Sequence, residues 1–284
     1  MAIFSNQATL TYNGNSTNSN IAYGEILDVL TAAKVSVEGT YAPGQLVTYA
    51  VTLRNTGTGA LNGLTVTDDL GGYSFGGTTV YPLTYEAGSA VLFVNGVQQP
   101  APAVTAGPPL VISGINIPAG GDAVLVYQAR ANEFANPAAE GTIVNTVTVT
   151  GDGLSAPITA SATVTALSAA DLTISKSITP TQVVDNDRVT YTFVIQNSGS
   201  QAVVATDNAA ISDTFDPILT ALTVTFDGVT WTQGVQYNYD ETTGLFTTVP
   251  GQILVPAATY TQDPVTGAYT VTPGIATLTV TGTI

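Results

Sequence analysis

The chain has 284 residues, enough for two domains of ordinary size that each bury a core. Charged residues make up only 9%, yet 5 Lys and Arg stand against 20 Asp and Glu, a formal charge of -15. That sign repels nucleic acid and anionic membranes, so neither is expected as a partner. Cysteine and histidine are absent, which removes disulfides, thiol nucleophiles, Ser-His triads and His-ligated metals. No cofactor or metal is called for, and no segment approaches the roughly 20 apolar residues of a membrane-spanning helix. Thr, Val, Ala and Gly dominate, with frequent turn residues, so an all-β chain is expected.

Taken in chain order, residues 1–30 read as a connector. Ile3-Phe4-Ser5-Asn6-Gln7-Ala8-Thr9-Leu10-Thr11-Tyr12 is similar to a segment far downstream, Ile143-Val144-Asn145-Thr146-Val147-Thr148-Val149-Thr150. Residues 13–20 are polar throughout and read as a flexible tether. The start, Met1-Ala2-Ile3-Phe4-Ser5, carries neither a basic region nor an apolar one, so no secretory signal is expected.

Residues 31–167 read as a first β-sandwich domain. Val47, Tyr49, Val51 and Leu53 alternate as in a half-buried strand, closed by an Asn55-Thr56-Gly57 turn. Leu64-Thr65-Val66-Thr67-Asp68 follows, and Asn95-Gly96 between apolar residues marks a tight hairpin. Small residues at Leu167-Ser168-Ala169-Ala170-Asp171 form a short linker. Residues 168–284 then repeat the pattern. Lys176 precedes Val189 by the same interval that separates Lys34 from Val47, Ala210-Ile211-Ser212-Asp213 follows, and Asp227-Gly228 marks a second hairpin. Two tandem immunoglobulin-like sandwiches are expected. The last strand, Ala276-Thr277-Leu278-Thr279-Val280, matches Ala123-Val124-Leu125-Val126-Tyr127, after which the first domain still has closing strands to come. The second domain is therefore expected to lack them, with a spare copy at the other end of the chain.

A Lys-bearing first strand, V-T-Y-x-x-x-x-x-N-x-G, a strand ending in Asp, and a closing strand opened by Asn together resemble a bacterial surface repeat. This is the family known as domain of unknown function 11, common in Gram-positive and clostridial surface proteins. The resemblance covers nearly the whole chain. It implies immunoglobulin-like sandwiches at a cell surface in a structural or adhesive role, with no defined activity.

Three arrangements of the spare segment are compatible with the sequence. It packs on its own first domain while the second is a shorter variant; it closes a ring or swapped dimer; or it completes the second domain of a neighbouring subunit. The third is preferred, because an uncovered apolar groove beside a sheet edge is an aggregation hazard that needs filling. In it Asn6, Ala8, Leu10 and Tyr12 form a donor strand whose alternate side chains set the register. Such a contact is heterologous and propagates, so the expected partner is the chain itself, a head-to-tail homopolymer. The expected protein is thus a structural subunit of an extracellular, cell-surface or spore-surface filament. The spore setting rests on analogy with sporulating bacteria that carry such repeats. A surface adhesin, monomeric or domain-swapped, is the alternative, and no enzyme is expected: no carboxylate pair sits in an evident aromatic cleft.

The chemical candidates come from the repeat. Lys34 and Lys176 are equivalent, as are Asp68 and Asp213, and Asn145 and Asn6 hold the same place in the two copies of the closing strand. A Lys, a carboxyl group and an Asn meeting in a sandwich core is the constellation of spontaneous Lys–Asn isopeptide bonds in Gram-positive surface domains, which this pattern resembles. Lys34, Asp68 and Asn145 would react within one chain, and Lys176, Asp213 and Asn6 between chains. The plainer reading makes each Lys–Asp a salt bridge. Asp185-Asn186-Asp187 reads as a turn rather than a calcium loop, and the glycine-rich residues 71–77 carry no Lys and open no helix. Asn15-Ser16-Thr17 is a glycosylation sequon by pattern only, and Trp231 reads as core.

Overall fold

The computed structural model describes residues 2–26 and 28–284; Met1 and Leu27, which belong to the connector segment, lie outside them. The described chain is all-β apart from one short 3-10 turn at Ala205–Asp207. It divides into two compact units, Met1–Ala135 with Thr142–Thr165, and Asn136–Gly141 with Ala166–Ile284.

The chain opens with a hairpin. β1 (Ala2–Asn6) pairs with β4 (Ala22–Ile26), and β2 (Thr9–Tyr12) with β3 (Asn15–Asn18). The turn is Asn13-Gly14, both at positive φ, the two-residue geometry that matches strand twist. The polar tether expected at residues 13–20 is thus a turn and a strand: the Asn-Gly signal was there, masked by its polar neighbours. Between Asn6↔Ala22 and Thr9↔Asn18 the register slips by one residue, with Ala8 and Ser19 tied by hydrogen bonds of 2.8 and 3.0 Å. Residues 6–12 are therefore two strands, β1 and β2, and the extra residue of the bulge between them lies on the partner strand at residues 19–21. Phe4 lies over Gly24, where a β-carbon would meet the ring at 2.2 Å and displace it.

The first unit continues with β5 (Leu30–Ser36), β6 (Thr40–Tyr41), β7 (Leu46–Asn55), β8 (Leu61–Asp68) and a small hairpin of β9 (Tyr73–Phe75) and β10 (Thr78–Val80). β11 (Leu83–Tyr85), β12 (Val91–Val94), β13 (Val97–Gln98), β14 (Ala103–Thr105) and β15 (Leu110–Ile117) follow. β16 (Asp122–Ala131), β17 (Thr142–Thr150) and β18 (Ile158–Ala166) close it. One sheet runs β13-β12-β16-β7-β5, with β11 also on β16; the other runs β14-β15-β8-β17-β18-β6. Their inward residues, Val47, Tyr49, Val51 and Leu53 facing Leu64, Val66, Val147 and Val149, are almost fully buried. The alternation read in the sequence is the burial pattern of a two-sheet sandwich.

The second unit comprises β19 (Leu172–Thr179), β20 (Arg188–Asn197), β21 (Ser212–Thr214), β22 (Thr220–Phe226), β23 (Val229–Trp231), β24 (Tyr237–Asp240) and β25 (Leu245–Thr248). A hairpin of β26 (Thr259–Gln262) and β27 (Tyr269–Thr272) precedes β28 (Gly274–Thr283). Its main sheet, β19-β20-β28-β22-β23, repeats the strand order β5-β7-β16-β12-β13, and its first pair keeps the register: Lys34 stands opposite Val51, and Lys176 opposite Phe193. The facing layer is only β21-β25-β24. Phe215, Phe246, Tyr239 and Tyr237 fill it as an aromatic cluster, and Trp231 stacks on Phe226 within the core. Among the described residues no strand takes the places of β17 and β18.

The Asn of the repeat motif staples each unit. Fully buried Asn197 donates to the carbonyls of Gln201 (2.7 Å) and Pro256 (3.0 Å) and accepts from the Gly199 and Asp171 amides (2.9 and 3.0 Å). Asn55 makes three of these four contacts, with Gly59, Pro118 and Gly57. Asn197→Ala leaves buried groups without partners and should cost about 1–3 kcal/mol. The sole tryptophan, Trp231, lies in the second unit, so a leftward shift of its fluorescence transition in urea checks this, and an unshifted midpoint would refute the staple.

Candidate functional site

In the first unit the two sheets enclose an ion pair. β5 presents Lys34 inward at the point where its neighbours Ala33 and Val35 point out, and β8 ends on Asp68. Lys34 Nζ donates to Asp68 Oδ2 at 2.8 Å, with side-chain exposures of 0% and 1%. Asp68 also accepts a short hydrogen bond from the Tyr127 hydroxyl and one of 2.7 Å from the Leu70 amide. The ammonium lies 4.7 Å from the Tyr49 ring centroid and 5.9 Å from that of Tyr127, which are themselves stacked.

Burial pushes the Lys34 amine below its ordinary value, and Asp68 opposes that shift. Both tyrosine hydroxyls are held above theirs, chiefly by burial, and at Tyr127 the Asp68 charge adds to it.

Asn145 completes the group. It sits on β17 one inward position before Val147, which stands opposite Asp68, and β17 faces β5 across the core. Its amide neighbours the Tyr49 hydroxyl. Yet neither amide atom of Asn145, nor Tyr49 Oη, makes a hydrogen bond of acceptable geometry, although all three are buried. An unpaired buried amide costs about 1–3 kcal/mol and is rare. Lys34, Asp68 and Asn145, far apart in sequence, are thus brought into one dry, aromatic-walled site.

The second unit builds half of this. Lys176 pairs with Asp213 through a short contact, and its ammonium lies 4.5 Å from the Tyr191 centroid, 5.4 Å from Phe215 and 5.5 Å from Phe193. Here, however, the Lys176 side chain is 39% exposed and Asp213 is 19% exposed. β19 is exposed along nearly its whole length, whereas β5 is alternately buried. Beside it opens an apolar cavity of about 170 Å3, lined by Leu172, Ile174, Ile195, Ala209, Ile211 and Ile253. Val280 stands where the first unit has Tyr127, so Asp213 has no phenol partner. Asn6 lies on β1, exposed and opposite Ala22.

Ala8, Leu10 and Tyr12 are likewise exposed, as are Ile3, Phe4, Ile21 and Tyr23. Tyr49 and Tyr127 escaped the sequence reading as site residues. Tyr49 was visible as the Tyr of V-T-Y, but nothing local marks Tyr127. Asp185-Asn186-Asp187 is a turn in which the Asp187 carboxylate accepts from the Val184 amide (3.0 Å). No metal-binding cluster and no helix long and apolar enough to cross a membrane occur among the described residues.

No family model and no curated protein matches the chain. Among solved structures it is similar to the full-length major pilin SpaD from Corynebacterium diphtheriae, at 12% identity and TM-score 0.37, over 85% of this chain and 58% of that one. It is similar to the pilus backbone RrgB from Streptococcus pneumoniae, at 12% identity and TM-score 0.36, over 86% and 55%. A third is the N-terminal domain of the Streptococcus gordonii adhesin Sgo0707, at 17% identity and TM-score 0.36, over 55% and 37%. The chain spans less than two thirds of the length of each.

Asp68→Ala would strand a buried ammonium and should destabilise the first unit by about 3–5 kcal/mol. Circular dichroism should show an earlier first transition in urea while the Trp231 fluorescence transition stays put; coincident, unshifted curves would refute the pair's structural role.

Proposed function

We propose that the chain is a structural subunit which polymerises head to tail by donor-strand complementation, forming a filament at a cell or spore surface. The domain of unknown function 11 resemblance, carried by the Lys, V-T-Y and Asn positions, is part of the same reading. The observation that carries it is the contrast between the two units. The first closes two strands over Lys34 and Asp68; the second leaves Lys176, Asp213 and an apolar cavity open beside a free sheet edge. The N-terminal hairpin presents Ile3, Phe4, Leu10, Tyr12 and Tyr23 exposed to solvent. A two-stranded hairpin alone is marginal in water, and exposed apolar strands seek partners.

The buried trio supports a covalent role in the same assembly. Lys34, once its proton has passed to Asp68, attacks Asn145 Cγ through Nζ. The Cγ–Nζ bond forms, Asp68 hands its proton to Nδ2 and takes up the second proton that Nζ releases, and the Cγ–Nδ2 bond breaks so that the nitrogen leaves as ammonia. Burial that disfavours the ammonium supplies the nucleophile. The same reaction between Lys176 and the Asn6 of another copy, assisted by Asp213, would weld the filament. The role is structural, not enzymatic, because each lysine is consumed once.

Purified full-length protein should form filaments visible by negative stain, and Leu10→Asp should leave folded monomers, since Leu10 is 63% exposed and supports nothing in its own subunit. A monodisperse wild-type monomer at high concentration would refute polymerisation. Intact mass should fall about 17 Da below the sequence value for each bond, with the first-unit deficit abolished in Asn145→Ala; a full sequence mass would refute the bond.

A further inference from the structure

We propose that the donor is the whole N-terminal hairpin, occupying in the second unit of another copy the two adjacent strand positions that β17 and β18 occupy in the first unit. This rests on the strand-donation reading and specifies its partner, width and register.

The width follows from the gap. In the first unit two strands lie between β8 and β6, in the order β8-β17-β18-β6. The second unit keeps both rims. Residues 210–213 correspond to the end of β8, and residues 181–183 correspond to the chain around β6. β21 pairs with β25 on one side, and among the described residues no strand lies on its other side. At the far rim Tyr41 of β6 is fully buried, whereas its counterpart Val183 is 37% exposed. A single inserted strand would pair with one rim and leave the other bare.

The register follows from one coincidence of pairing. On β17 and β18, Asn145 stands opposite Ala162 and Ile143 opposite Val164. On β1 and β4, Asn6 stands opposite Ala22 and Phe4 opposite Gly24. The two hairpins thus present an Asn–Ala pair followed, two residues along the same face, by a large apolar side chain, Ile143 in one and Phe4 in the other. In the hairpin the Phe4 ring spans both members of the Phe4–Gly24 pair, because Gly24 has no side chain. Superposing Asn6 on Asn145 brings Asn6 over Lys176 and Asp213. Transferring Val149↔Val66 and Thr148↔Thr67 then sets Leu10 opposite Ile211 and Thr9 opposite Ser212. Ile211 lines the apolar cavity beside β19, so Leu10 is the side chain that fills it. On the second strand, Thr165 donates its amide to the Gly39 carbonyl at 3.2 Å; the corresponding positions are Glu25 and Thr181.

A chain without cysteine permits a direct test by engineered disulfides in the full-length protein. An Asn6→Ala background ensures that only disulfides hold the subunits. Thr9→Cys with Ser212→Cys probes the first strand, and Glu25→Cys with Thr181→Cys probes the second. The expected result is that each pair, oxidised, gives a dimer-trimer-multimer ladder on non-reducing denaturing gels that dithiothreitol collapses. A ladder from only one pair overturns the two-strand seat while leaving strand donation standing. No ladder from either overturns donation itself, and a monomeric disulfide would place the hairpin in its own second unit.

Discussion

Burying a lysine in a β-sandwich demands a counter-charge and a roof. The ammonium loses its hydration, and the nearby carboxylate repays that loss only when both are enclosed and well aligned. In the first unit the roof is β17 and β18, and Lys34 and Asp68 disappear from solvent beneath it. In the second unit the same lysine and the same aspartate stand on the same strands without it, and the side chain of Lys176 remains over a third exposed. The aromatic packing of Tyr191, Phe193 and Phe215 shields its underside only. The two units are therefore one design at two stages of closure.

That contrast gives the hairpin its meaning. Elsewhere polar and apolar groups find partners within their own unit: buried Asn55 and Asn197 staple loops, and Trp231 and Phe226 stack inside the second core. The hairpin instead displays Ile3, Phe4, Leu10, Tyr12 and Tyr23 to solvent while the second unit keeps an apolar cavity open. Each feature alone is an aggregation hazard; together they are complementary. The polymer reading needs no contact beyond those already used inside the first unit.

The sandwich architecture was legible because its signals are local. Alternation along Val47, Tyr49, Val51 and Leu53, the Asn95-Gly96 and Asp227-Gly228 turns, and the constant interval from Lys to Val in each repeat all act through short-range geometry. The equivalence of Lys34 with Lys176 and of Asp68 with Asp213 was equally plain. What sequence could not give is long-range. Tyr127 joins the site only because the register of β16 on β7 sets it beside Tyr49. The difference in exposure between the two lysines arises from strands distant in the chain. The polar run at residues 13–20 hides the Asn13-Gly14 turn, because polarity alone does not distinguish a tether from an exposed hairpin. The strand break at Gln7 and Ala8 is set by a bulge on the partner strand, which no pattern in residues 5–12 reveals.

The central claim is that another copy's strands occupy the open positions of the second unit. Its most direct test is amide hydrogen exchange on the Asn6→Ala protein, whose subunits no Lys176–Asn6 bond can hold, compared between concentrated and dilute solution. On β21's side, the Thr248 amide donates to Ile211 (2.9 Å) and the Ile211 amide to Thr248 Oγ1 (2.8 Å), so alternation turns the Ala210 and Ser212 amides toward the open edge. The account predicts that these two amides, with those of residues 181–183, exchange slowly in concentrated protein and rapidly on dilution. Equal exchange in both conditions, with filaments present, would contradict it.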